Sequence, residues 1–130
     1  MNKMEREIMS RQDLHTFGLE VLVKWLEKNG YEIEFVNPVV DMLPSVFANR
    51  FDGLTVIAAA TTMYPERPEF NESDKPALMD VCKELNAKLA FAGIGLVNGE
   101  GIPTQDKELM GKAYKDAKFM ADFGGLKYIE

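Results

Sequence analysis

The sequence predicts a mixed α/β (α+β) fold in which helices flank a mixed β-sheet, and three observations lead to this prediction. Apolar residues recur with helical spacing near the N-terminus, and a series of strand-forming segments follows them. One further helical segment then leads into a buried strand. Helices and strands that intermix in this order are typical of a sheet covered by helices.

The first helix is predicted over residues 5–29, where apolar residues recur at intervals of three and four positions and an Asn-Gly pair supplies the stop signal. Residues 31–36 then alternate apolar and acidic side chains. This alternation predicts a strand with one buried face, formed by Tyr31, Ile33 and Phe35.

Residues 45–51 and 54–62 are predicted to form two strands of a hairpin around Asp52-Gly53. An Asp-Gly pair favours a two-residue type I′ turn. The middle of the second strand is apolar on both faces, which indicates a central, covered strand.

The last elements follow from similar patterns. A second helix is predicted over residues 73–88 and a buried strand over residues 89–97. Residues 116–123 and 126–129 are predicted to form a C-terminal β-hairpin around a Gly-Gly pair. The full order is therefore α-β-β-β-α-β followed by a hairpin.

Length and composition restrict the classes of function. The 130 residues fit a single domain over residues 1–130. A net charge of −6 makes nucleic acid an unfavourable partner, because phosphate contacts need clustered Lys and Arg. A lone cysteine excludes a disulfide framework and favours a cytoplasmic location. We expect no signal peptide in residues 1–10 and no membrane segment, because no stretch approaches 18 apolar residues.

Three short segments carry a resemblance to a known family. They are residues 17–20 with the helix-to-strand step at residues 29–33, residues 44–50 before the Asp-Gly turn, and residues 54–65. Through these segments and the element order, residues 13–97 resemble the PD-(D/E)-x-K nuclease superfamily, which has the restriction-endonuclease-like fold. The chain is also similar to a group of small bacterial proteins that contain the same segments and have no assigned activity.

Active members of this superfamily carry an Asp at the start of the second strand and Glu-x-Lys on the third. The carboxylates hold Mg²⁺, and an acid on the first helix often completes the site. The resemblance places Glu20 at the helix acid and Ser45 at the strand acid. The Glu-x-Lys positions fall at Ala58 and Ala60, or one residue later on the same strand. Most of the catalytic positions are therefore degenerate.

The main hypothesis is a catalytically inactive nuclease-like domain that serves binding or assembly and needs no metal and no cofactor. The acidic balance favours a protein as its partner. A homodimer through the C-terminal hairpin is the predicted assembly, because an exposed edge strand pairs readily with a second copy.

Two alternatives stay open. In a divergent metal-dependent nuclease, Glu20 and Asp41 would hold Mg²⁺ or Mn²⁺, and Lys24 or Arg50 would replace the missing lysine. In a small-molecule-binding domain, the loop over residues 63–71 would close over a pocket at the edge of the sheet.

Other reactive residues have simpler interpretations. His15, the only histidine, lies at the edge of the apolar arc and is interpreted as packed rather than as a general base. Cys82 lies on the apolar stripe of the second helix and is interpreted as a buried structural thiol. Gly93 and Gly95 lack the remaining features of a phosphate-binding loop and are assigned to close backbone packing. Asp52 is assigned to the turn.

Overall fold

Helices cover both faces of a six-stranded mixed sheet in a computed structural model that describes residues 6–130. The predicted α+β fold class is confirmed. In chain order the elements are α1 (Arg11–Lys28), β1 (Glu32–Val36), β2 (Val46–Arg50), β3 (Gly53–Met63), a 3-10 turn (Glu72–Asp74), α2 (Lys75–Leu85), β4 (Lys88–Asn98), a second 3-10 turn (Gly99–Gly101), α3 (Lys107–Met110), β5 (Phe119–Asp122) and β6 (Lys127–Ile129).

The strands follow the order β1-β2-β3-β4, and β5 and β6 lie along the outer edge of β4. The β1–β2 and β2–β3 pairs are antiparallel, whereas β3 and β4 are parallel and are joined by α2. A helix connects them because parallel neighbours need a long crossover. As predicted, β3 is a central strand.

Two apolar clusters hold the helices to the sheet. On one face, Leu22 and Leu26 of α1 pack with Ile57 and Ile94 of the two parallel strands. On the other face, the cluster contains Leu78 and Cys82 of α2 with Val56, Leu89 and Phe91 of the same strands. The strands β3 and β4 are therefore apolar on both sides, as the sequence of residues 54–62 predicts.

Helix α1 begins later than its sequence pattern predicts. The Ser10 hydroxyl accepts a hydrogen bond from the Asp13 N–H, and the Asp13 carboxylate accepts one from the Ser10 N–H. This capping box fixes the first turn, and these bonds hold the pKa of Asp13 below its usual range. Residue 5, the first residue of the predicted helix, lies outside the described residues.

One face of β1 was predicted incorrectly. The ladder with β2 shifts between Ile33, which lies opposite Ala48, and Phe35, which lies opposite Phe47. A bulge of this kind reverses the alternation of side chains. Phe35 therefore leaves the face of Ile33, stays 44% exposed, and packs its ring 5.2 Å from that of Phe47.

The β2–β3 hairpin is present, but its turn is not the predicted type I′. Phe51 and Asp52 form the turn, and Arg50 lies opposite Gly53. Only Gly53 has a positive φ, at 113°, whereas a type I′ turn requires positive φ at both central residues. Gly53 therefore follows the two turn residues, whereas the type I′ prediction made it the second of them.

The C-terminal pair of strands is present, but the two strands do not form the predicted hairpin with each other. β5 pairs antiparallel with Gly95 to Asn98 of β4, and β6 pairs antiparallel with Leu89 to Phe91 of the same strand. The chain therefore runs on past Gly124 and Gly125 in one direction. The reason is the length of β4, which offers pairing positions to both segments.

None of the helices described for residues 6–130 has the length and apolar character needed to cross a membrane.

The closest approach of α1 to the sheet occurs at Gly18. A Cβ atom built there would lie 1.7 Å from Oγ1 of Thr61 in β3, so only glycine fits without movement. We expect Gly18→Ala to lower the free energy of unfolding by about 1 kcal/mol. Overpacking costs roughly 1–3 kcal/mol and exceeds the roughly 1 kcal/mol that Ala gains over Gly within a helix. Urea denaturation followed by Trp25 fluorescence measures the change.

Gly124→Ala is the matched control, because no atom lies within 4 Å of a Cβ built there. Adding Thr61→Ala to Gly18→Ala should restore part of the lost stability. If Gly18→Ala and Gly124→Ala have equal effects, the close contact does not limit the packing of α1.

Candidate functional site

Three of the positions that the resemblance assigns to catalysis, Ser45, Ala58 and Ala60, lie near the point where β2 begins beside β3, whereas Glu20 is exposed on α1. Ser45 is fully buried and immediately precedes β2. Its N–H donates to the Ile57 carbonyl at 2.8 Å, and its hydroxyl oxygen accepts from the Ala59 N–H at 3.1 Å. The side chain therefore extends the β2–β3 ladder by one bond beyond the last residue pair. It acts as a backbone partner and carries no charge.

The two alanines of the degenerate motif lie on the α2 face of β3. Ala58 is 3% exposed and belongs to the cluster around Leu78 and Phe91, against which Ala60 also packs. Ala58 lies directly opposite Phe91 in the parallel register. A methyl group supplies neither a metal ligand nor a proton donor, so these positions contribute packing alone.

The two acids proposed as migrated ligands are not brought together. Asp41 lies in the β1–β2 loop with a positive φ of 68° and forms an ion pair with Arg11 at the start of α1. Glu20 is exposed and lies nine residues further along α1, about 13 Å at a rise of 1.5 Å per residue. Within residues 6–130, no group of three or more His, Cys, Asp or Glu side chains is placed to hold a metal ion.

The basic residues of the same alternative also lie elsewhere. Lys24 is exposed on α1. Arg50 is at the far end of β2, five residues from Ser45, or about 16 Å along an extended strand. Its guanidinium carbon lies 4.2 Å from the centre of the Tyr31 ring, and its Nε lies 3.7 Å from Oδ1 of Asp52.

A second polar cluster surrounds Arg50. The Tyr31 hydroxyl lies 2.8 Å from that of Tyr128. Burial, and to a lesser extent this hydrogen bond, raises the pKa of Tyr31 to about 12. Lys88 donates to Asp52 at 2.8 Å and holds the pKa of that carboxyl below its usual range. Asp52 therefore lies in the turn, as predicted, and is already paired.

A cavity of about 500 Å³ opens beside the degenerate motif. It lies between the first turns of α1, the β1–β2 loop, the second half of β3 and the segment that leads to α2. Its charged lining consists of four carboxylates and one guanidinium, namely Asp41, Glu66, Glu69, Asp74 and Arg11. Because Arg11 is paired with Asp41, the cavity attracts positive charge overall.

His15 also lines this cavity, although it is 7% exposed. Its Nε2 lies 3.2 Å from the Asn37 carbonyl oxygen. A carbonyl only accepts, so Nε2 carries the proton and Nδ1 is the basic nitrogen of the neutral ring. The predicted packed histidine is confirmed, and its contact anchors the beginning of the β1–β2 loop on α1.

The predictions for Cys82 and Gly93 agree with the structure, whereas the close packing predicted at Gly95 is not found. Cys82 is buried, and desolvation raises the pKa of its thiol, which disfavours the reactive thiolate. A Cβ at Gly93 would meet Phe91 and Pro68 at 3.0 Å, which confirms close packing there. At Gly95 the nearest atom, the Asp122 carbonyl oxygen, would lie 3.7 Å away, an ordinary contact.

Sequence reasoning did not identify the cavity or the contribution of Arg11. Four of its lining residues belong to the loop that the small-molecule hypothesis placed over a pocket, namely Glu66, Glu69, Phe70 and Asn71. The difference in strand length could have indicated the cavity, because the apolar segment that forms β3 is longer than the segment that forms β2.

A mixed sheet with helices on both faces and a cavity beside its third strand defines this chain as an α+β domain. The chain belongs to the family described as the domain of unknown function DUF8840, whose model matches residues 12–129. No curated protein and no solved structure gives a match.

The free energy of unfolding tests whether the Ser45 hydroxyl serves as a structural hydrogen-bond acceptor. We expect Ser45→Ala to lower the free energy of unfolding by about 1 kcal/mol, because it leaves the partly buried Ala59 N–H without its acceptor. Urea denaturation measures the change. The control is Thr104→Ala, an exposed hydroxyl, which should stay within about 0.5 kcal/mol of the parent. An unchanged midpoint for Ser45→Ala would contradict this role.

Proposed function

We propose that this chain is a catalytically inactive nuclease-like domain that serves binding or assembly. The order of its elements supports the proposal, since α1, three antiparallel strands, α2 and a parallel fourth strand follow the core layout implied by the resemblance to PD-(D/E)-x-K nucleases. A layout alone does not carry a function, so the argument depends on the side chains.

One observation carries the proposal. At the position where the resemblance places the strand acid, the buried Ser45 hydroxyl is bonded to the Ala59 N–H, and Ala58 is enclosed by apolar side chains. A hard divalent cation needs several oxygen ligands, and charge stabilisation at phosphate needs a cation near the reacting group. These positions supply neither.

The alternatives have unequal support. The divergent nuclease would need Glu20 and Asp41 at one site, but Asp41 is paired with Arg11 at the start of α1, and Glu20 lies nine residues further along that helix. The small-molecule alternative is favoured by the 500 Å³ cavity, which lies within the range of roughly 300–1,000 Å³ that ligand pockets occupy. A binding role for this cavity is therefore part of the proposal.

The proposed setting is the cytoplasm of a bacterial cell, with a protein rather than a nucleic acid as partner. The net charge of −6 and the carboxylates at the cavity support this choice, because both disfavour contact with phosphate groups.

Metal binding and cleavage test the loss of activity. We expect calorimetry on metal-free protein to show no Mn²⁺ site tighter than about 1 mM, because too few oxygen ligands converge. We also expect no cleavage of single- or double-stranded DNA with Mg²⁺ or Mn²⁺. Micromolar binding that is lost in Glu20→Gln or Asp41→Asn would mean that ligands have migrated, and the divergent nuclease would replace this proposal.

A second copy of the chain is the proposed partner in assembly, through the C-terminal edge of the sheet. The outer sides of β5 and β6 pair with no other strand among residues 6–130, and Met120 is 59% exposed there.

We expect light scattering to give twice the mass of one chain, and Met120→Lys to give a monomer. Phe51→Lys, at an exposed apolar residue in the β2–β3 turn, should remain dimeric. A monomeric parent at millimolar concentration would contradict the dimer.

A further inference from the structure

β3 extends well beyond its neighbour β2. The β2 ladder covers Gly53 to Ile57, and Ser45 adds the last contacts at Ile57 and Ala59. From Ala58 to Met63, β3 pairs with β4, and no other described strand pairs with its opposite side. Apart from the Ala59 N–H, which donates to the Ser45 hydroxyl, this bare edge has no partner among the described strands, and its residues 58–62 line the 500 Å³ cavity.

The bare edge presents hydrogen-bonding groups of the backbone. The Ile57 carbonyl and the Ala59 N–H both face the β2 side, because both bond to Ser45. In an extended strand the N–H and C=O of one residue point the same way and alternate between neighbours. The Ala59 carbonyl and both backbone groups of Thr61 therefore face the cavity. Such groups are paired in most proteins, so this edge is a template for another strand.

The surroundings of the edge restrict what fits there. The side chains on this part of β3 are small, from Ala58 to Thr62, so an added chain can approach the backbone closely. The nearby charges are mostly negative, with Glu66, Glu69 and Asp74 on the segment that leads to α2. A partner strand with basic side chains complements this field, whereas a polyanion is repelled by it.

We propose that the cavity receives an extended, basic segment of a partner protein, which adds to the bare edge of β3 as a continuation of the β2 position. Main-chain hydrogen bonds to Ala59 and Thr61 would hold the segment, and its Lys or Arg side chains would reach the carboxylates around the cavity. This inference rests on the binding role in the proposed function and does not depend on the absence of cleavage.

The probe is a fluorescein-labelled hexapeptide of alternating Lys and Val, acetylated and amidated at its ends. Two matched peptides separate the contributions. Replacing Lys with Glu reverses the charge, and N-methylation of alternate residues removes the N–H groups that pair with a strand while leaving the charge unchanged. We expect fluorescence anisotropy to show binding of the first peptide and at least tenfold weaker binding of each of the others.

Variants of the protein test the same surface. Glu66→Lys combined with Glu69→Lys should weaken binding of the Lys-Val peptide at least tenfold. Glu84→Lys combined with Glu108→Lys makes the same change in net charge at exposed residues outside the cavity, and it should leave binding within about twofold of the parent. Equal weakening in both double variants would show only general charge attraction and would overturn the proposal.

Amide hydrogen exchange identifies the strand contact directly. The Thr61 N–H should exchange at least tenfold more slowly with the Lys-Val peptide bound, and the N-methylated peptide should not slow it. The proposal is overturned if the peptide does not bind at 1 mM, if the N-methylated peptide binds equally well, or if protection appears elsewhere. If the peptide does not bind, and neither Mn²⁺ binding nor DNA cleavage is found, only the peptide-binding proposal is overturned. DNA cleavage would overturn the proposed function itself.

Discussion

The early end of the β2–β3 ladder is the constraint on which this end of the molecule depends. β2 starts at Val46, opposite Ile57, and β3 continues for six more residues. Ser45 closes the ladder with one backbone and one side-chain hydrogen bond. Beyond this point the sheet lacks a strand in the β2 position. The first turns of α1 and the segment before α2 therefore enclose a space beside β3. The cavity is thus a direct result of where one serine ends one ladder.

Small residues around this point explain both its close packing and the lack of charge at the strand positions that the resemblance assigns to catalysis. Gly18 lets α1 approach Thr61, and Gly93 accommodates Phe91 and Pro68 on the α2 side. Ala58 lies in the apolar cluster on the α2 side, where an ionised carboxylate would be desolvated at considerable cost. An acid at this position would need a compensating cation to stay charged. Alanine removes that need, so this residue packs in the core and supplies no metal ligand.

Much of the fold was predictable because local patterns and tertiary packing agree. The spacing of apolar residues located α1, and the two-sided apolar run located β3, since both segments bury the faces that their patterns mark. The predictions failed where a choice depended on a distant partner. Phe35 changes face because of a bulge set by pairing with Phe47. Gly124 and Gly125 do not reverse the chain, because β4 is long enough to pair with the segments on both sides.

The candidate site was predictable only in part, for a physical reason. The degenerate positions Ser45 and Ala58 could be assigned from short segments, but the cavity beside them is made by four separate parts of the chain. Its charge follows from the same geometry, because Asp41 is neutralised by Arg11, whereas Glu66, Glu69 and Asp74 form no ion pair within residues 6–130. Charges at a cavity act on a ligand within a Debye length of about 8 Å, and here they oppose phosphate. A surface with negative side chains and a bare strand edge selects for hydrogen-bonding partners that carry positive charge. A polypeptide strand with basic side chains provides both features, whereas a nucleic acid backbone carries negative charge and is repelled, so the proposed ligand is a protein.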